Sequence, residues 1–296
     1  MARIKWVVWI TGLFLIVSLS ILVLHISTNT DEFSRYNLQW NGTSEFFGSM
    51  DTAGRVEIQD ISGLAGRTDS LLLIIAPERP FAEWECEDIL GFLRGGNSVF
   101  LADEDGSGNT LLEGIDSEIR IIHANLTSID RHYDDPSSVI AYPSSPDPFN
   151  SGIDYIVLNR PSSVKGGTPL FVTSLLTWVD GNGNGRIDET EELGRYPILS
   201  REYIGNGTLY VLSDPSLFIN GMQNIGGGNR IFCGKFTGYD RYDLLVEQDH
   251  SRTAKADLLV KGIVYMKSSK FMRVLVFIVI AAVASLIAWK RFSEIS

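Results

Sequence analysis

Residues 180–191 read Asp-Gly-Asn-Gly-Asn-Gly-Arg-Ile-Asp-Glu-Thr-Glu. Oxygen-bearing side chains fall at positions 1, 3, 5, 9 and 12 of this stretch, the spacing of an EF-hand calcium loop. Asp180, Asn182 and Asn184 supply the first three oxygens. Gly185, at position 6, permits the sharp turn, and Arg186 offers its backbone carbonyl at position 7. Asp188 acts directly or through water, and Glu191 supplies the bidentate carboxylate. Ile187, at position 8, is expected to turn inward. Hard oxygens at flexible distances suit Ca²⁺ better than Mg²⁺. A single loop with three formal carboxylates predicts weak binding, with a Kd of roughly 10⁻⁴–10⁻³ M. Gly194 and Pro197 cut short any exiting helix, so there is no helix pair for the ion to open. The expected role is a clip that ties down a long insertion between two parts of a sheet.

A second set of chemical groups follows apolar runs that read as strands. Asp103, Glu104 and Asp105 come after one, Asp214 and Ser216 after another, and Asp249-His250-Ser251 after a later segment. Parallel sheets bind ligands at the carboxyl ends of their strands, which makes Asp103, Asp105, Asn109 and Asp214 the ligand-binding candidates. No catalytic residue is assigned. The nucleophile elbow G-x-S-x-G, the P-loop and the zinc motif H-E-x-x-H are all missing from the sequence. Asp249 beside His250 has the makings of a general base, although such pairs are more often structural contacts. Gly95-Gly96 reads as a helix stop, and Gly226-Gly227-Gly228 lacks the preceding strand that a dinucleotide fingerprint needs.

The elements that would position these groups are legible in part. Val56–Ile61 alternates, and Leu71–Ala76 is a continuous apolar run that suits an inner parallel strand. A helix follows, with acids in its first half, Arg94 near its end and a stripe of Cys86, Ile89, Leu90 and Leu93. Cys86 is therefore read as a core residue. Ser98–Ala102 is the next strand and Asn109–Gly114 a short helix, completing a βαβ unit. Further strands are expected at Arg120–His123, Tyr155–Leu158 and Leu209–Leu212, with helices near Gly226–Lys235 and Ala254–Ser268. Residues 134–152, rich in Pro, Ser and Asp, read as a long surface loop.

The 296-residue chain carries a net charge of −11, which argues against a nucleic-acid partner. Two cysteines rule out a disulfide scaffold. From Trp6 to Ile26 no charged residue appears, a stretch of about 31 Å at roughly 1.5 Å per residue, which matches a bilayer core. A second apolar run spans 271–289. The positive-inside rule then gives a two-pass protein of the cell membrane. Residues 1–5 form a cytoplasmic N-terminus, 6–26 an uncleaved membrane helix, and 27–54 a stalk and the start of the ectodomain. Residues 55–266 form the α/β ectodomain, 271–289 the second membrane helix and 290–296 a cytoplasmic tail. All but one of the acidic residues fall in the expected exterior part. So do three sequons, which make Asn41, Asn125 and Asn206 glycosylation candidates.

Several blocks resemble the DUF4350 family. They are Ser34-Arg-Tyr36-Asn37 with Gly42-Thr43-Ser44, then Ile75-Ala76-Pro77 with Arg79-Pro80-Phe81, Phe92 to Gly96, and Leu101-Ala102-Asp103 with Gly108-Asn109. Ser213 to Ser216 with Asn220, and Glu247 to Ser251, complete the series. The resemblance implies a flavodoxin-like, class I glutamine amidotransferase-like three-layer sandwich with a mostly parallel sheet, here flanked by two transmembrane helices. It implies membrane anchoring and association with other membrane proteins or a MoxR-type ATPase system. The sequons and the acidic body suit an archaeal surface. The amidotransferase nucleophile has no counterpart, because neither Cys86 nor Cys233 follows a strand-end elbow. The expected function is a calcium-binding, non-enzymatic module for a ligand or partner. The rival is a surface hydrolase for glycan or peptide acting through Asp103, Asp214 and His250.

Overall fold

The computed structural model describes residues 29–50, 55–237 and 243–256, with Gly12 and Val260 besides. The chain divides into a unit of residues 30–255 and a second unit of 1–29 and 256–296. Every strand described lies in 30–255. In chain order these are β1 (Val56–Ile58), β2 (Ser70–Ile75), β3 (Ser98–Ala102), β4 (Arg120–Ile122), β5 (Leu126–Ser128), β6 (Ile140–Pro143) and β7 (Ile156–Val157). Then come β8 (Ser163–Lys165), β9 (Thr168–Thr173), β10 (Thr177–Val179), β11 (Pro197–Ile204), β12 (Gly207–Leu212) and β13 (Asp243–Glu247). Helices span Ser44–Met50, Glu83–Arg94, Asn109–Gly114 and Gly228–Gly234.

Two-residue alternation sends the strand side chains into two cores. Leu71, Leu73, Ile75, Phe100 and Leu212 face one side, where Phe46, Phe218, Phe232 and Phe236 pack. Leu72, Ile74, Val99, Leu101 and Val211 face the other, against Ile89, Leu93, Leu111 and Leu112. The Glu83–Arg94 helix starts where the Glu85 carboxylate reaches back to the Ala82 N–H at 2.7 Å, half of a capping box. It buries Cys86, Ile89, Phe92 and Leu93.

The main sheet has nine strands in the order β1-β13-β2-β3-β12-β11-β9-β6-β7. Pairings from β1 through β12 are parallel. Those from β12 through β7 are antiparallel. This mixed sheet corrects the expected flavodoxin-like, mostly parallel sandwich. The reversal follows from chain length. β11 and β12 are joined by Gly205 and Asn206 alone, with Ile204 opposite Gly207 and Gly205 at φ 61°. Two residues make a hairpin, whereas a parallel return needs a long crossover. The 134–152 stretch is likewise more than a loop. It contains β6, and Val139, Ala141 and Phe149 enter the core.

The two-pass membrane reading is also corrected. Among the described residues no helix is long and apolar enough to cross a membrane. The segments that prompted it, 6–26 and 271–289, fall outside the described residues apart from Gly12, as does nearly all of the helix expected over 254–268. With the localisation withdrawn, the sequons lose the compartment that gave them meaning. Structurally, Asn206 occupies the β11–β12 turn, and the Asn41 amide oxygen accepts from Asn37 Nδ2 at 2.9 Å within a local turn.

Candidate functional site

The 180–191 loop leaves β10 and returns through an extended segment to β11, without flanking helices. Its base is pinned by the Gly194 N–H donating to the Thr177 carbonyl at 2.7 Å. Asp180 is buried (4% exposed), and its carboxylate organises the turn. One oxygen accepts from Gly183 N at 2.8 Å and Asn184 N at 3.2 Å, and the other from Gly185 N at 2.7 Å. Gly185 sits at φ 68°, where any side chain would be strained. Asn182 Oδ1 accepts from Asn184 N, and Asn184 Oδ1 from Arg186 N. The amide groups of Asn182 and Asn184 both donate to Asp188 Oδ2, at 2.6 and 3.0 Å. Glu191 folds back over the start of the loop, accepting from Gly181 N at 2.9 Å and Asp188 N at 3.0 Å. The side chains at positions 1, 3, 5, 9 and 12 thus form one ring. Two amide NH₂ groups face the Asp188 carboxylate in the place of positive charge. Carboxylate and amide oxygens carry further lone pairs beyond these bonds, so the donor set fits a hard cation. Ile187 does not turn inward as expected but is 43% exposed, because no flanking helix offers a core to receive it.

The carboxyl ends of the parallel strands carry a different use of acids. β3 leads into the Asn109–Gly114 helix on one face of the sheet, and β12 leads into a 3₁₀ turn, Pro215–Phe218, on the other. Their ends therefore diverge at a topological switch point, the usual crevice for ligands in open sheets. Here the chain's own 159–162 segment crosses it. Asn159 N donates to Asp214 at 2.8 Å, Ser162 and Ser213 exchange hydrogen bonds, and Ser162 Oγ donates to the Glu104 carbonyl at 2.9 Å.

Each strand-end candidate is already engaged. Asp103 accepts from Asp105 N at 3.1 Å and Gly108 N at 2.7 Å. Asp214, fully buried, accepts from the Ser216 N–H and hydroxyl. Asp105 pairs with Arg252 at 2.5 Å. Asn109 both donates to and accepts from the Ile121 backbone at 2.9 Å, docking β4. Burial raises the Asp103 carboxyl above its ordinary range and pushes Asp214 to about 6. Glu104 is pushed to about 8, first by burial and then by the Asp214 and Asp105 charges.

A third acid ends β13. Glu247, fully buried, accepts from the backbone N–H groups of Asp249, His250 and Ser251 at 2.6, 2.7 and 3.0 Å. His250 lies between two carboxylates, with Nδ1 3.2 Å from Glu247 and Nε2 3.2 Å from Glu85. Its ring stacks on Phe81 at 4.1 Å between centroids. Desolvation would lower its pKa, but Glu247 and Glu85 raise it on balance. Among the described residues Glu85, Asp249 and His250 are close enough to suggest a metal cluster, with ligand atoms within 4.8 Å of one another. However, both ring nitrogens of His250 already face carboxylates, and Asp249 is paired with Arg79 at 2.6 Å. Each of the three side chains thus has a partner of its own, with His250 held between Glu247 and Glu85.

The thiols are core groups. Cys86 is 2% exposed and its pKa is raised by burial. Burial pushes Cys233 to about 12. Sequence reasoning passed over Glu247, Glu85 and Arg160. For Glu247 a signal was present, because it ends an apolar strand as Asp103 follows one. Nothing in the sequence announces that Glu85 meets His250 across more than 160 positions. Arg160 has φ 55°, and its N–H is held by the Ser137 carbonyl at 3.0 Å.

The comparisons agree with this architecture. The family model described as "Domain of unknown function (DUF4350)" matches residues 35–232. Among solved structures, the chain is similar to one titled "mmIFT52 N-terminal domain". That similarity has a TM-score of 0.51 and 16% identity, and it covers 67% of this chain and 92% of that one. At that identity the likeness concerns the fold alone. No curated protein matches the chain. The family match spans most of the unit just described, from the turn before the first helix to the last helix before β13, and the chain belongs to the DUF4350 family.

Proposed function

We propose that this protein is a non-enzymatic binding module whose insertion between β3 and β12 is braced by Ca²⁺ in the 180–191 loop. The observation that carries the reading is the ring made by Asp180, Asn182, Asn184, Asp188 and Glu191, closed at its base by the Thr177–Gly194 contact. Calcium would take oxygens from these five side chains and the Arg186 carbonyl. It would supply the positive charge that the two asparagine amides now present to Asp188. Supporting a binding role over catalysis, both thiols are buried and protonated, and the strand-end acids are held by backbone N–H groups. The test is the melting temperature of the full chain against CaCl₂, with MgCl₂ as control. A ligand that binds only the folded state raises stability by mass action. The expected result is a saturable rise with calcium, smaller with magnesium and abolished in Glu191→Gln. No rise up to tens of millimolar calcium would overturn the reading.

A further inference from the structure

A cleft of about 530 Å³ opens beside the loop, between residues 183–186 on one side and segments 125–127 and 135–137 on the other. Its charged lining is Asp135, Asp180, Arg160 and Arg186. Asp180 is turned into the loop backbone. Asp135 accepts from the Ser137 N–H and hydroxyl, which with Arg160 and Arg131 lower its pKa. Arg160 acts on the Asp135 carboxylate through its charge, and among the described residues neither guanidinium donates a hydrogen bond within the chain. Arg160 is held in a left-handed backbone conformation that a bulky residue adopts only when its surroundings impose it. That conformation places an arginine on the cleft wall. Arg186 is the loop residue whose carbonyl would ligate the ion, so its side chain starts next to the metal position.

The four side chains sum to zero charge, and the loop carboxylates Asp188 and Glu191 beside them bring the cleft and its ion ligands to −2, which a calcium ion in the loop neutralises. We propose that this cleft binds the oxyanion group of a ligand, carboxylate or sulfate-like, on Arg160 and Arg186, and that calcium in the adjacent loop switches the binding on. Arginine forks match both oxyanion shapes in bidentate fashion. Without the ion, the Asp180 and Asp135 carboxylates cancel the attraction. This step rests on the calcium reading and assigns the site that the metal would serve.

The experiment uses the full chain labelled with ¹⁵N-arginine, at constant ionic strength set with chloride because surface attraction is salt-screened. Arg160→Asn and Arg186→Gln assign the two Nε–Hε signals. Asparagine tolerates the left-handed backbone, so the first variant should fold. Calcium is titrated alone, and sodium sulfate and sodium acetate are then titrated with and without calcium. The expected result is a saturable shift of both arginine signals by at least one anion. Kd should be at least tenfold tighter with calcium and at least tenfold weaker in the double variant, and Arg160→Asn alone, outside the calcium loop, should keep the calcium-induced rise in melting temperature. Calcium binding without any saturable anion shift overturns this proposal alone, as does anion binding indifferent to calcium. A chain that takes up no calcium overturns the calcium reading and this proposal with it.

Discussion

Replacing Glu247 with glutamine tests the claim that the strand-end acids serve the backbone. The Glu247 carboxylate, fully buried, accepts three N–H groups and the Ser251 hydroxyl and meets one ring nitrogen of His250. Glutamine keeps one oxygen and turns an NH₂ group against the remaining donors. At least one buried N–H then loses its acceptor, at about 1–3 kcal/mol. His250 loses a buried counter-ion, and breaking such a pair costs about 3–5 kcal/mol. The two losses overlap in one network, so about 3–5 kcal/mol is expected for Glu247→Gln. That is a fall in Tm of about 6–20 °C for a domain of this size. Denaturant midpoints at unchanged slope provide the assay. Asp249→Asn is the control: its exposed pair with Arg79 should cost under about 1 kcal/mol. The pH dependence supplies a second reading. Glu247 and Glu85 raise the His250 pKa, and Arg79 opposes them weakly. A raised cation contributes stability fully below the ordinary histidine pKa of about 6.5, and that stability is lost as pH rises through the folded value. Wild type should therefore weaken from about pH 6.5 upward, and Glu247→Gln should do so less. A loss under about 1 kcal/mol, or an identical pH slope in the variant, would refute the reasoning.

Three further outcomes are expected. Calcium at ten times its Kd should stabilise the wild type by about 1.4 kcal/mol, a rise of about 3–6 °C that scanning calorimetry should not find in Glu191→Gln. Asn109→Ala removes both hydrogen bonds to Ile121 and should cost about 1–3 kcal/mol by chemical denaturation. Glu104→Gln should stabilise. The folded carboxyl, raised from 4.5 to about 8, binds its proton more tightly than the unfolded one, so this group lowers stability as pH rises through that window. The variant should lack that part of the decline in pH-dependent melting curves.

Local chemistry was legible in the sequence where one segment decides the outcome. The Asn109–Gly114 helix and strands β3 and β12 follow from apolar runs and glycine stops, and the loop ring follows from spacing within a dozen residues. Of the antiparallel half, β7 and β12 are legible as apolar runs, but β6, β9 and β11 are not. β9 and β11 each carry a proline at or near the start, which reads as loop punctuation, and β11 mixes Ser200, Arg201 and Glu202 with its apolar residues. The two-residue turn at Gly205-Asn206 is the available signal, but Asn206 also opens a sequon, which hides its place at a hairpin corner. Of the site, the side chains that meet their partners locally lie on segments legible in the sequence. The Glu85–His250–Glu247 network and the 159–162 segment over the switch point join distant parts of the chain. No spacing rule reaches that far.

Asp103 and Asp180 permit a last comparison, because the same device ends in two different chemistries. Each is a buried acid following a strand, and each carboxylate accepts N–H groups from the turn after it. After Asp103 the chain closes at once, since Gly108 packs so tightly that an added Cβ would stand 2.8 Å from Leu101. After Asp180 the chain stays open, with Asn182, Asn184 and Asp188 exposed and Glu191 half-buried beside a cleft. Asparagine at either position keeps one acceptor oxygen and loses the other, so Asp103→Asn and Asp180→Asn should cost similar amounts without metal, about 1–3 kcal/mol each. Only Asp180→Asn should cancel the calcium-dependent rise in melting temperature, leaving the rise intact in Asp103→Asn. If both variants keep it, the loop oxygens are not the metal's ligands. If both lose it, the ion sits with the strand-end acids, and the division of labour argued from their surroundings is wrong.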